Sequence, residues 1–373
     1  MELNRNLDGL RISGIRRYNA LAREVGGCVL LTLGEPHFDT PRPVVDACAA
    51  ALAGGATHYT ENRGDAELRA KIAEFEAKTR HLSYSPDEIL ITAGATEAIY
   101  DAICALTNPG DEVIIPTPAF ALYETVTRIA GATPVPLDTS DTGFVPSPER
   151  LARCITPKTK LLVLNSPNNP TGVIYPAEVL EKIGEIVEKT GIFVLSDDVY
   201  WGLSPCPTFP ALTRLKPQIL AVQSFSKPYA MTGWRIGYLM ASQALADKIN
   251  ALHAHVLTCV SSIVQRAAIA ALDFDPSDMA AQYACNREYA HSRLLTMGLP
   301  TVQPAGAFYL FPRVSQLCAS DEEFCTRLIR EARVALVPGS VFGAPGYARL
   351  SCCCDRLTLC AGLDRLEAYI GKL

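Results

Sequence analysis

Short apolar runs alternate with longer amphipathic segments through the middle of the chain. Apolar runs without alternating polar positions are typical of strands buried on both faces of a mostly parallel sheet, and the segments between them are typical of helices. Alternation of strands and helices predicts an α/β architecture. The predicted strands are 88–92, 111–115, 160–164, 192–195, 219–222 and 234–239, and the predicted helices include 97–106, 177–189 and 262–272.

The two ends of the chain have a different pattern. Long helical segments at 276–297 and 321–333 lie beside short strand-like runs at 307–311 and 335–337. We therefore expect both ends to form one smaller α+β domain, next to a large domain made by the middle of the chain. The predicted bounds are 1–40 for the N-terminal segment of the small domain, 41–270 for the large domain and 271–373 for the small C-terminal domain.

Composition excludes several classes of function. The chain has 373 residues, 49% of them hydrophobic, and a net charge of -5. This composition is typical of a globular enzyme-sized protein and gives no general attraction to nucleic acid or to an anionic membrane. No apolar stretch is long enough to span a membrane, no signal peptide is recognisable, and the 13 cysteines are scattered. We expect a cytoplasmic protein with reduced thiols.

Three of the cysteines are adjacent, at 352–354. Neighbouring residues of a strand point to opposite faces, so they chelate a metal poorly. We interpret them as small buried residues and predict no metal site.

Polar residues follow four of the predicted strands, at the point where each strand ends. In open α/β sheets, ligands collect at the carboxyl ends of the strands. We therefore expect these segments to surround one site. They are Ala93–Thr96, Asn165–Gly172, Ser196–Tyr200 and Ser224–Lys227.

Lys227 has the surroundings of a reactive lysine. It follows Ser224 and Ser226 and precedes Arg235 by eight residues. A nucleophilic lysine must be neutral, and hydroxyls with an arginine can hold a phosphate. This combination suits an amine that bonds the aldehyde of pyridoxal 5′-phosphate (PLP). The alternative is an ordinary surface lysine in a loop.

Two other segments could hold parts of the same cofactor. Small residues at 94–98 open a helix whose N-terminus favours a phosphate, although Thr96 could be an ordinary N-cap. Asn169 could donate its amide to a phenolate oxygen, since Pro170 keeps its backbone extended. The segment around Asn169 could also be a plain turn.

Three further side chains have both a functional and a structural interpretation. Asp197 could pair with a protonated ring nitrogen, because a buried carboxylate needs a partner. It could instead be a solvated aspartate at a strand end, for which Asp198 is the better example. Tyr200 could reach the hydroxyl of the same ring or be a core tyrosine. Arg349 could bind a carboxylate or form a structural salt bridge.

Taken together, these segments resemble the class I and II aminotransferases, PLP enzymes of the aspartate aminotransferase fold. The resemblance extends from Gly34–Pro41, through Met231–Arg235 and Pro338–Ser340, to Arg349–Ser351. Within the family the chain is most similar to a bacterial branch, and Ile12–Arg16 resembles its aromatic and N-acetyl-diaminopimelate aminotransferases. The resemblance implies a PLP-binding large domain with a mostly parallel seven-stranded sheet covered by helices.

The resemblance also implies a role for each site residue. Lys227 would be the Schiff-base lysine, Asp197 would pair with the pyridine nitrogen, and Arg349 would bind the substrate α-carboxylate with help from the Gly34 backbone. Tyr59 would reach the phosphate of a neighbouring subunit, which implies a homodimer with shared active sites. Asn169 and Tyr200 would bond the phenolate oxygen, Phe120 would stack on the ring, and the phosphate would be held by Ala95, Thr96, Ser224, Ser226 and Arg235.

Some positions depart from the family pattern. Phe120 replaces a tyrosine or tryptophan, and Asp198 replaces a glutamate. His37 replaces an acidic residue, and Cys352-Cys353 replaces Phe-Ala near the expected substrate pocket. The pocket shape would be set by Ile12, Ile15, Phe120, Tyr123 and residues of the partner subunit. The departures leave the amino donor open.

The expected activity is transfer of an α-amino group between an L-amino acid and a 2-oxo acid by a ping-pong mechanism, with Lys227, Asp197 and Tyr200 as catalytic residues. One alternative is a carbon–sulfur β-lyase, which would use the same residues. The other is a non-enzymatic PLP-binding regulator, since a shared fold does not establish function.

Overall fold

The computed structural model describes residues 5–7, 10 and 14–373. Within them lie twelve strands and twelve α-helices. The strands are β1 (Val29–Leu30), β2 (Ile89–Thr92), β3 (Glu112–Thr117), β4 (Thr133–Asp138), β5 (Thr159–Asn165), β6 (Phe193–Asp197), β7 (Ile219–Ser224), β8 (Gly237–Ala241), β9 (Tyr309–Leu310), β10 (Val334–Ala335), β11 (Val337–Pro338) and β12 (Ala348–Ser351). The helices are α1 (Gly14–Val25), α2 (Arg42–Ala53), α3 (Ala66–Arg80), α4 (Ala95–Leu106), α5 (Leu122–Ile129), α6 (Pro148–Cys154), α7 (Ala177–Thr190), α8 (Gln243–Val256), α9 (Ser262–Ala271), α10 (Ser277–Thr296), α11 (Asp321–Arg327) and α12 (Arg356–Ile370).

Seven of the described strands form one sheet, in the order β2-β8-β7-β6-β5-β3-β4. Strand β8 runs antiparallel to both of its neighbours, and the other pairs are parallel. Alternate residues of one strand enter different apolar cores, as Leu161 and Val163 do on one face and Leu162 and Leu164 on the other. The prediction of a mostly parallel seven-stranded sheet covered by helices is confirmed.

Strand β4 was not predicted from the sequence. It lies at the edge of the sheet and contains Pro134 and Pro136, which lack an N–H and are therefore confined to edge strands. The strand predicted at 234–239 begins later, at Gly237. Arg235 has a φ of 54°, outside the extended region, so the backbone is still turning there.

The two ends of the chain meet in the fold. Strand β1 pairs in parallel with β10, and the Ser351 N–H donates to the carbonyl of Leu31. Helix α11 is shorter than predicted, because 328–332 continues as a π-helical turn before β10. The domain bounds 1–40, 41–270 and 271–373 stay a prediction.

The thirteen cysteines are all free thiols. Cys352 and Cys353 are buried, which confirms their interpretation as small core residues, whereas Cys354 is partly exposed. In the part of the chain that the structure describes, no helix has both the length and the apolar character needed to cross a bilayer.

Candidate active site

The predicted site residues meet in one cavity of about 230 Å³. It lies where Asn165, Asp197 and Ser224 end three neighbouring parallel strands, β5, β6 and β7. All of the predicted cofactor and substrate residues line it except Tyr59. The lining residues are Ile15, Gly34, Ala95, Thr96, Ile99, Phe120, Tyr123, Asn165, Asn169, Asp197, Val199, Tyr200, Ser224, Ser226, Lys227, Arg235, Tyr309 and Arg349.

Asp197 is a buried carboxylate without a cationic partner among the described residues. Its Oδ2 accepts from the Tyr123 hydroxyl at 2.5 Å and its Oδ1 accepts from the Val199 N–H at 3.3 Å. Burial raises the pKa of Asp197 to about 6, although the two hydrogen bonds oppose that shift. A protonated ring nitrogen in the cavity would supply the positive charge that this carboxylate lacks.

Lys227 follows β7 and lies partly buried in the same cavity. Its Nζ donates to the carbonyl of Gly34. Burial lowers the pKa of Lys227 to about 8, so a useful fraction of the amine is neutral near neutral pH. Lys227 and Asp197 line the same cavity, and the charge of Lys227 acts to lower the pKa of Asp197. The alternative of a surface lysine is wrong.

The N-terminus of α4 forms a cradle for an anion. Gly94 is the N-cap, so Thr96 lies inside the first turn and the alternative of a Thr96 N-cap is wrong. The N–H groups of Ala95 and Thr96 have no partner among the described residues, as expected at a helix N-terminus. A Cβ on Gly94, whose φ is 80°, would lie 2.7 Å from Arg235 Nη2. Only glycine therefore lets the guanidinium reach this helix end.

Arg349 is buried in the wall of the cavity and donates a hydrogen bond to Asn169. Its Nη1 donates to Asn169 Oδ1 at 2.9 Å, and its Nη2 donates to the carbonyl of Thr32. It makes no ion pair with a described residue, so the alternative of a structural salt bridge is wrong. Its Nε is buried without a partner, and the guanidinium lies 4.5 Å from the centre of the Tyr309 ring. A carboxylate is the ligand that this arginine lacks.

Two side chains present donors to the cavity. Asn169 Nδ2 bonds to no other described residue, because Arg349 occupies only its Oδ1. The hydroxyls of Tyr200 and Tyr309 lie 2.8 Å apart, and either can donate to the other. One hydroxyl proton of that pair is therefore left for a ligand. Phe120 lines the cavity and meets Tyr123 edge to face.

Asp198 corrects one expectation. The sequence predicts a solvated aspartate at this strand end, but Asp198 is 2% exposed. Its Oδ2 pairs with Arg80 and accepts from Thr208 Oγ1, and its Oδ1 accepts from Ser196 Oγ. This ion pair could not be predicted from the sequence, because Arg80 is distant in the chain. The two adjacent aspartates therefore differ in pairing: Asp198 has a guanidinium, whereas Asp197 has only hydrogen bonds.

The remaining expectations concern residues outside this cavity. Tyr59 is 86% exposed and lines a separate surface cleft near Ser261. Ile12 lies outside the described residues. His37 does not line the cavity, and Cys353 lies behind it, with its Sγ donating to the carbonyl of Leu33.

Sequence reasoning missed two contributors to the site. Tyr123 was predicted only to shape the pocket, whereas it also donates to Asp197. Tyr309 was not singled out, although it pairs with Tyr200 and lies under Arg349. Its only signal was a place in a short apolar run, which does not distinguish a site residue from a core residue.

The family comparison identifies the chain. A family model described as aminotransferase class I and II matches residues 27–366. The chain belongs to this family. As an aminotransferase, it moves an amino group between an amino acid and a 2-oxo acid, and this prediction is confirmed.

Individual aminotransferases are similar to this chain over nearly its whole length. It is 39% identical to a probable N-acetyl-LL-diaminopimelate aminotransferase of Bacillus subtilis, over 99% of this chain and 96% of the relative. It is 35% identical to aromatic-amino-acid aminotransferase 2 of Thermococcus litoralis, over 100% of this chain and 99% of the relative. The solved aspartate aminotransferase of Thermus thermophilus with maleate has a TM-score of 0.94 at 36% identity, and 99% of each chain is covered. The resemblance stated from the sequence is confirmed.

Proposed function

We propose that this aminotransferase binds PLP in the cavity described above, and that Lys227, Asp197 and Arg349 carry its chemistry. The class I and II family depends on PLP in general. The observation that carries the proposal is the convergence of three unmatched groups on one cavity: an amine with a lowered pKa, a buried carboxylate and a glycine-lined helix N-terminus.

The cavity residues offer a suitable partner for each polar group of PLP: its ring nitrogen, its phosphate and its phenolate oxygen. Asp197 lacks a cation, and a pyridine ring that carries a proton on its nitrogen provides one. The free N–H groups of Ala95 and Thr96, with Ser224, Ser226 and Arg235, suit the dianionic phosphate. The unpaired amide of Asn169 and the spare proton of the Tyr200–Tyr309 pair suit a phenolate oxygen.

The roles of the protein groups follow from this placement. When bound, PLP withdraws electrons from the substrate Cα. Asp197 keeps the ring nitrogen protonated, which maintains that withdrawal. Lys227 Nζ removes the proton from the substrate Cα as general base and returns a proton later as general acid. Arg349 would hold the α-carboxylate and so restrict the orientation of the substrate relative to Lys227. The two half-reactions would follow one another in ping-pong order.

We also propose a cytoplasmic homodimer. Free thiols in all thirteen cysteines agree with a reducing compartment. Tyr59 is almost fully exposed, as expected for a side chain that completes the phosphate site of a partner. The large and small domains are proposed to have the bounds given above, with the cavity between segments of both.

The amino donor is not assigned by this site. Arg349 selects for an α-carboxylate only, and Ile15 and Phe120 give the nearby wall an apolar character. The names of the relatives include aspartate, aromatic and N-acetyl-diaminopimelate aminotransferases, so acidic and apolar donors are both candidates.

The test is a half-reaction screen. The PLP-loaded protein is mixed with single amino acids, and conversion to the pyridoxamine form is followed by absorbance, with assay of the 2-oxo acid released. We expect stoichiometric conversion with at least one amino acid, and none with Lys227→Ala. An active K227A protein without added amine would refute the role of Lys227. Steady release of pyruvate and a thiol from cystathionine, without any oxo acid, would instead favour the β-lyase.

A further inference from the structure

A buried charge network lies behind the cavity and has no part in the chemistry described so far. His253 on α8 faces Glu97 and Asp101 on α4, two residues that are one helical turn apart. His253 Nδ1 lies 3.0 Å from Asp101 Oδ2 and 3.6 Å from Glu97 Oε1. His253 and Asp101 are completely buried, and Glu97 is largely buried. Burying charged groups costs free energy unless they are paired, so we ask what this network contributes to the protein.

The network is connected directly to the anion cradle. Glu97 uses its other carboxylate oxygen to accept the N–H of Ala93, the residue between β2 and the N-cap Gly94. The carbonyl of the same Ala93 accepts from Arg235 Nη2 at 3.3 Å. Ala93 is thus held between Glu97 on one side and a cradle arginine on the other. Glu97 therefore anchors the backbone N–H of the residue that directly precedes the cradle.

His253 lies beside Glu97 and favours its negative charge. Burial raises the pKa of Glu97, and the charge of His253 opposes this. Burial lowers the pKa of His253, but the hydrogen bond to Asp101 and the charge of Glu97 outweigh it, and the pKa lies above its usual value. The charge of His253 thus favours the ionised form of Glu97, as the Ala93 N–H also does, and it offsets a negative charge close to the proposed anion site.

A hydrogen-bonded network explains these contacts better than a metal site. Three such side chains could in principle ligate a cation. However, the 3.0 Å separation of Nδ1 and Oδ2 is already a hydrogen bond, and Glu97 is bonded to a backbone N–H. The imidazole ring of His253 therefore serves as the partner of both carboxylates, without a metal ion.

We propose that His253 is a positioning residue for the cofactor phosphate, acting through Glu97 and Ala93. This inference rests on the proposed binding of PLP in the cavity. It predicts a defect limited to the phosphate end of the cofactor, because Lys227, Asp197 and Arg349 make no contact with the network.

The test compares PLP with pyridoxal, which lacks the phosphate. The dissociation constants of both are measured by absorbance for the wild type, His253→Leu and His253→Asn. Leucine and asparagine have the same shape, but only asparagine can donate to Asp101 in place of Nδ1. In H253L we expect the dissociation constant of PLP to rise about ten-fold, the effect of about 1.4 kcal/mol, and that of pyridoxal to change less than about two-fold. H253N should recover only part of the PLP affinity, because it restores the hydrogen bond to Asp101 but not the positive charge beside Glu97.

Equal loss of PLP and pyridoxal affinity in H253L, or no loss of either, would overturn the positioning role. If H253L does not fold, Glu97→Met and Glu97→Gln test the other end of the link. Glutamine keeps an acceptor for the Ala93 N–H and methionine does not, so only E97M should lose PLP selectively. A wild type that binds neither compound would contradict the proposed function itself, which separates the two failures.

Discussion

Replacing Asp197 by asparagine should stabilise the cofactor-free protein at alkaline pH. Burial raises the pKa of Asp197 from 3.8 to about 6 in the folded protein. The folded state therefore binds this proton more tightly than the unfolded state, and stability falls as the pH rises from about 4 through 6. Asparagine has nearly the same shape and still accepts from Tyr123, but it carries no charge to desolvate.

The magnitude follows from the two pKa values. A shift of about 2 units at 1.36 kcal/mol per unit costs the wild type about 3 kcal/mol at pH 8. At pH 5 both states are partly protonated, and the same linkage gives a cost of about 1.5 kcal/mol. The stability advantage of D197N should therefore grow by about 1.5 kcal/mol between pH 5 and pH 8.

The assay is denaturant unfolding of the cofactor-free proteins at both pH values, repeated with PLP. PLP should stabilise the wild type more than D197N, because the protonated ring supplies the missing cation. Asp198→Asn is a matched control in the adjacent residue. Because Asp198 is ion-paired with Arg80, D198N should destabilise the protein instead. An advantage of D197N that does not increase with pH would refute the argument that Asp197 is desolvated and unpaired.

Three further changes test other parts of the site. Gly94→Ala places a Cβ against Arg235 at a positive φ, and we expect weaker binding of PLP with little effect on pyridoxal, measured by absorbance titration. The rate at which the cofactor-free protein captures PLP should increase with pH and level off above about 8, since the neutral amine of Lys227 is the nucleophile; a rate that keeps rising towards the ordinary lysine pKa of 10.5 would contradict the lowered pKa. Arg349→Lys should raise the KM for the amino donor about ten- to hundred-fold with a smaller change in kcat, because one ammonium cannot replace a planar fork. A KM unchanged in R349K would exclude Arg349 as the carboxylate site.

Much of the site could be predicted because its residues occupy the ends of strands that have a clear apolar pattern. Asn165, Asp197 and Ser224 end neighbouring parallel strands, so their convergence follows from the topology once the strands are recognised. Strand β4 was missed because its two prolines and exposed positions lack that pattern. Tyr309 was missed because its apolar neighbours made it resemble a core residue.

The sequence alone indicated most of the strand–helix order, the family and the candidate reactive groups, because apolar periodicity and the chemistry of Lys227 or Arg349 are properties of local segments. Only the tertiary structure shows which charged side chains form ion pairs. Asp198 is distant from Arg80 in the chain, and Glu97 is distant from His253, yet each pair is in contact in the folded protein. Asp197, beside one of these pairs, makes hydrogen bonds but no ion pair with the residues that the structure describes. Charge pairing depends on distances between remote segments and on burial, and both arise only when the chain is packed.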